Sequence, residues 1–176
     1  DAINLVQSNF TFSNSSIQNT YSDGLDSDFC SGTILTSTFK NTGNDCIDLS
    51  GSIIDIKGCT ITNSGDKGIS GGENSFVKVD DTKINRAKTA IASKDLSAVI
   101  VSSVVLQNVD YGFVAFQKKP EFGPAKIIVT NTIGGVMNYK NLIDSGSMLI
   151  NNKGDKADTI VGGVKINVDS LYLEFK

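Results

Sequence analysis

Large apolar residues recur along this chain at intervals of about 22 residues, and around them apolar and polar positions alternate with a period of two. The first series is Leu25, Ile47, Ile69, Ile91 and Phe113. Each follows a small residue, in Asp23-Gly-Leu-Asp, Asp45-Cys-Ile-Asp, Lys67-Gly-Ile-Ser, Thr89-Ala-Ile-Ala and Tyr111-Gly-Phe-Val. A second series places apolar residues two apart: Phe10/Phe12, Ile54/Ile56, Val77/Val79, Val99/Val101 and Ile127/Val129. The third is Ile17, Phe39, Ile61, Ile84 and Leu106, followed two positions later by the polar bend residues Asn19, Asn41, Asn63, Arg86 and Asn108. Alternation of period two predicts short strands, and the Gly, Asn, Ser and Asp between them predict bends.

Three short strands in 22 residues cannot close a core alone, but stacked turns can. At the ~4.8 Å spacing of parallel strands, equivalent residues of successive turns form continuous internal columns. The expected fold is therefore all-β: a single-stranded right-handed parallel β-helix with ~22-residue coils of three strands each, right-handed because parallel crossovers are. A leucine-rich repeat would need a Leu-x-x-Leu-x-Leu pattern, which is absent, and a β-sandwich would not keep a fixed interval. Residues 1–176 read as one domain, with regular coils over about 8–137 and an irregular last coil and cap over 138–176. Gln117–Ala125, which holds both prolines, reads as an inserted loop. Alternation in Val164–Val168 and Leu171–Leu173 suggests a capping strand pair. Residues 1–10 resemble the middle of a repeat, so a piece of a longer protein with neighbouring domains is expected.

Composition then narrows the chemistry. No histidine occurs, which excludes Ser-His-Asp and Cys-His catalysis and His-ligated zinc. A net charge of −3 and a lone arginine, Arg86, argue against nucleic acid as a partner. No apolar run approaches the ~20 residues of a membrane span, and no signal peptide is visible. Cys30, Cys46 and Cys59 fall in different columns opposite small residues, which suits packing better than redox or metal chemistry.

Charged residues gather around the first strand and the bend after it. If Leu25 and Ile47 point inward, Asp26 and Asp48 point outward, one above the other. Two carboxylates ~5 Å apart repel by roughly 3 kcal/mol at an effective dielectric of 20, so something should offset them. A Ca²⁺ ion at Asp26, Asp28 and Asp48 would do so, as would a shared proton or the nearby Lys67 and Lys94. Asp26, Asp48, Glu73, Asp95, Lys118 and Lys119 are candidates for ligand binding, polysaccharide being the expected partner. Phe116 and Phe122 are the candidates for an exposed aromatic contact. A lyase would need a base such as Lys67 or Lys94 with Ca²⁺ beside it, although neighbouring carboxylates oppose the depressed lysine pKa that role requires.

The coil pattern resembles the pectate-lyase-like superfamily of right-handed β-helices, which mostly act on or bind acidic polysaccharides. Ser22-Asp23-Gly24, Gly43-Asn44-Asp45-Cys46-Ile47, Lys67-Gly68-Ile69-Ser70 and Ile91-Ala92-Ser93-Lys94 are similar to the T-D-G, G-D-D-C-I, G-H-G-I-S and R-I-K motifs of polygalacturonase-type glycoside hydrolases. The resemblance implies carboxylate positions at Asp23 and Asp45 and a substrate lysine at Lys94. It also shows departures. Asn44 stands at the general acid, Lys67 at the histidine, and the arginine is missing. An amide cannot protonate a leaving group, so half of an inverting mechanism is lost. Residues ~21–130 also resemble β-helix modules of bacterial extracellular proteins that accompany CotH-kinase-like domains. That likeness implies a non-catalytic accessory role, secreted or at the cell surface. A polysaccharide lyase or glycosidase of the pectinase type is the alternative.

Overall fold

The computed structural model describes residues 1–132, 139–153 and 156–166. The first coil runs through β1 (Ile3–Val6), β2 (Asn9–Ser13) and β3 (Ser16–Thr20). The second uses β4 (Leu25–Asp28), β5 (Ser31–Leu35) and β6 (Thr38–Thr42), and the third β7 (Ile47–Ser50), β8 (Ile53–Lys57) and β9 (Thr60–Ser64). Beyond these come β10 (Lys67–Gly72), β11 (Phe76–Asp80), β12 (Lys83–Lys94), β13 (Ala98–Phe116) and β14 (Lys126–Thr132). The last strands are β15 (Lys140–Ile143), β16 (Met148–Lys153) and β17 (Lys156–Val161). Among the described residues there is no helix, and so none long and apolar enough to cross a membrane.

Every strand from β1 to β16 pairs in parallel with its equivalent one coil away, which makes three faces. The register is the one that the sequence pattern predicts. Leu25 pairs Ile47, Ile47 pairs Ile69, Ile69 pairs Ile91 and Ile91 pairs Phe113 on the first face. Val77 lies between Ile54 and Val99 on the second, and Ile61 between Phe39 and Ile84 on the third. These side chains are buried in one continuous core. Each buried Leu, Ile or Phe contributes about 1.5–3 kcal/mol of apolar burial.

The corners hold their own ladders. Asn19, Asn41, Asn63, Arg86 and Asn108 all have positive φ, between 52° and 61°. Asn suits that left-handed bend because its short polar side chain offsets the steric cost. Asn41 Nδ2 donates to Asn19 Oδ1 at 2.9 Å, and Asn63 Nδ2 to Asn41 Oδ1 at 3.0 Å. At another corner, hydroxyls accept backbone N–H groups from the preceding coil: Cys30 N to Ser52 Oγ, Ser52 N to Ser75 Oγ and Ser75 N to Ser97 Oγ, each 3.0 Å. Where bends approach closely, glycine is required. A Cβ on Gly43 would lie 1.9 Å from the Tyr21 carbonyl oxygen.

Two details depart from the simple repeat. β12 and β13 run through corners without losing their pairing, so β13 alone spans 19 residues and contributes to all three faces. At the C-terminal end, β17 pairs antiparallel to β16, Met148 opposite Val161. The cap therefore begins before the Val164–Val168 alternation, since Val164–Ile166 form no strand. Residues 167–176, with Leu171–Leu173, lie outside the described residues. The segment 117–125 is a loop, as its prolines predict.

Candidate functional site

The bend leading into the first face carries Asp1, Asp23, Asp45 and Lys67 in one column. Asp23 Oδ1 accepts the Asp45 backbone N–H at 2.8 Å, and Asp45 Oδ1 accepts the Lys67 N–H at 3.0 Å. Asp1 Oδ1 accepts from Asp23 N at 3.3 Å. Asn44 Nδ2 also donates to Asp23 Oδ1, at 2.8 Å. The Asn44 side chain thus holds a neighbouring carboxylate in place. Lys67 closes the column, its Nζ 3.4 Å from Asp45 Oδ1 and bonded to Asp66 Oδ2. All four of Asp23, Asp45, Asp66 and Lys67 are buried. Burial pushes the Asp45 carboxyl up to about 7, with Lys67 pulling it partly back.

Asp26 and Asp48 are directly paired in register and lie on the outer side of the first face, as alternation requires. Asp26 Oδ2 accepts from Asn4 Nδ2 at 2.8 Å. Its carboxyl is raised above the usual range, first by burial and then by the charges of Asp28 and Asp48. Lys94 stretches over Gly72 to place Nζ 3.4 Å from Asp48 Oδ1, two coils away. This is the offset the sequence calls for, supplied by a lysine. Asp26, Asp28 and Asp48 are not brought together as a metal set: among the described residues no three His, Cys, Asp or Glu side chains could hold an ion.

The outer face changes character along the stack. The row Asp26, Asp48, Ser70, Ala92, Val114 runs from partly exposed carboxylates to fully buried small and apolar side chains. Phe116, expected as an exposed aromatic, is 1% exposed and lines a narrow cleft with Tyr111, Val114, Ala92 and Lys67. It sits beside an apolar row, where an aromatic ring buries more surface than it could exposed. Phe122 is half-buried. Among the described residues the exposed aromatics are instead Tyr21 and Phe29, at bends, and Phe76, at the start of β11.

Asp95 and Glu73 anchor the proline loop. Asp95 Oδ1, itself buried, accepts the N–H groups of Lys118 and Lys119 at 2.6 and 2.7 Å. Lys119 Nζ bonds Glu73 Oε1, which raises the Lys119 pKa. Lys118 is depressed by partial burial and by the charges of Lys94 and Lys67. Sequence reasoning missed Asp66 and the fully buried Asp144, whose carboxylate receives the Gln117 and Ile166 N–H groups. Nothing in the repeat marks either. The three cysteines are free thiols, all buried.

A family model described as the right-handed β-helix region matches residues 1–155, and the chain belongs to that family. No curated protein and no solved structure matches it.

Proposed function

We propose that this chain is a non-catalytic β-helix module of an extracellular protein, secreted or displayed at a cell surface, that binds polysaccharide along the open, acidic half of its first face. The observation that carries this reading is the column Asp23–Asp45–Lys67. A carboxylate that acts as acid or base must reach substrate. Asp23 and Asp45 are instead buried acceptors for the backbone of the next coil. The open strip offers acceptors in two parallel rows at coil spacing, Asn4–Asp26–Asp48 and Asp28–Ser50, which suits the hydroxyls of an extended glycan. The likeness to modules accompanying CotH-kinase-like domains supports a place within a longer chain.

A glycan array, followed by titration of the hits with wild type and Asp26→Asn/Asp48→Asn, tests this. Binding that the double substitution weakens supports the module. Absence of glycan binding overturns it.

Lys118 favours a second reading, a polysaccharide lyase. Its depressed pKa is what a proton-abstracting base requires, and it is exposed where Lys67 and Lys94 are buried. Unsaturated products from polygalacturonate, pectin or alginate with Ca²⁺, abolished by Lys118→Ala, would replace the first reading with this one.

A further inference from the structure

The asparagine column breaks at one coil, and the break opens a groove. Asn41 and Asn63 each donate an amide N–H down the column, so Asn63 Oδ1 should receive one from the next coil. That position is Arg86, held at φ 61° like the asparagines. Arginine has donors but no acceptor. Asn108 therefore cannot donate to it and bonds Asn85 Oδ1 instead, at 2.9 Å. Arg86 does not supply the missing donor either. Among the described residues Asn63 Oδ1 accepts no hydrogen bond, and the Arg86 guanidinium has no ion-pair or hydrogen-bond partner.

Around this break lies an open groove of about 360 Å³, lined by Asn63, Ser64, Arg86, Lys88, Asn108 and Asp110. An arginine in a left-handed bend, where Asn is the repeat's own solution, gives up both ladder contacts and gains none within the chain. A local rule broken without internal compensation points to a role outside the fold. The groove walls alternate in chemistry. Arg86 presents a planar donor fork, and Asn63 Oδ1 and Asp110 are acceptors. Lys88 adds a second cation to the lining, so the groove carries two positive groups against the single carboxylate of Asp110 and suits an anionic group flanked by hydroxyls. A neutral sugar would leave the guanidinium unused.

We propose that this corner is a binding site for an acidic sugar unit, whose carboxylate or sulfate pairs with Arg86 while ring hydroxyls donate to Asn63 Oδ1 and Asp110. The site lies on a different corner from the acidic strip. It rests on the polysaccharide reading only in its choice of ligand class.

The test uses calorimetric titration with a galacturonate trimer, a sulfated heparin-type hexasaccharide and a neutral xylohexaose. Arg86→Asn restores the column's own residue, so the variant should fold and melt at or above the wild-type temperature. It should also lose about tenfold or more in affinity for the anionic probe that binds, as expected for a lost bidentate charged contact. Arg86→Lys should recover part of the affinity, and Lys78→Ala, an exposed lysine on the second face, should leave it unchanged. The two anionic probes distinguish carboxylate from sulfate. Undiminished binding by Arg86→Asn, or binding of neither anionic probe by wild type, overturns the site. Neutral-glycan binding that depends on Asp26 and Asp48 would then leave the first-face reading standing alone.

Discussion

Lys67 meets Asp45 twice: its backbone N–H lies 3.0 Å from Asp45 Oδ1 and its ammonium nitrogen 3.4 Å from the same oxygen. One carboxyl oxygen therefore serves both the inter-coil ladder and a contact with a buried ammonium. Because burial lifts the Asp45 pKa to about 7, well above the value of 3.8 for a free carboxyl, the folded state holds a proton there that the unfolded chain releases. Stability from this group is complete below pH ~4 and is lost as pH rises through about 7. Wild type should thus lose stability between these limits, with a slope on the order of 1 kcal/mol per pH unit at most. Asp45→Asn keeps an acceptor for the Lys67 N–H and should flatten the slope, as measured by urea unfolding across pH 4–8.

Asp26 gives a milder version on the surface. Its carboxyl is raised by burial and by Asp28 and Asp48, so its charge opposes folding above its folded pKa. Asp26→Asn retains the acceptor for Asn4 Nδ2 and should melt slightly higher than wild type at neutral pH. The difference should vanish in acid, below the unfolded pKa, where both side chains are uncharged.

The asparagine ladder separates backbone from side-chain effects. Asn41→Ala loses two amide bonds and places a β-carbon at φ 56°, and should cost about 1–2 kcal/mol. Asn41→Gly relieves the backbone strain and loses only the amide bonds, so it should cost less. Equal losses in denaturant titration would show that the positive φ contributes nothing.

A large truncation inside the columns should be costly. Phe39→Ala removes a fully buried ring between Ile17 and Ile61, and the expected loss is about 3–5 kcal/mol.

The thiols should be silent in the native state. Cys30, Cys46 and Cys59 are buried and unpaired, and burial pushes Cys46 and Cys59 further from thiolate. A disulfide-exchange reagent should titrate all 3 cysteines only after denaturation. Fast labelling of folded protein would contradict the buried placement.

The fold was legible because a solenoid repeats its physics. Each coil shows again which residues turn inward, and the Leu25, Phe39 and Val77 columns follow from spacing alone. The chemistry was less legible because it depends on departures from the repeat. Asp23 and Asp45 look catalytic by motif, yet the same spacing places each beneath a backbone N–H of the next coil. The Lys94–Asp48 pair crosses two coils and depends on Gly72 leaving room, which no pairwise pattern encodes. Phe116 was misread from its place beside the proline loop, because nearness to a loop cannot tell an outer face that is covered from one that is wet.

The bonds in these ladders join residues 22 or 23 positions apart, from Asn19–Asn41 to Ser52–Ser75. Chain-closure entropy is then nearly the same modest cost for each coil, however far along the molecule it lies. Contact order stays low for an all-β protein, so folding can advance as a front, each finished coil templating the one being added. A chain emerging from the ribosome could be laid down coil by coil. Damage to one coil should stall or fray the stack locally without erasing the coils already formed.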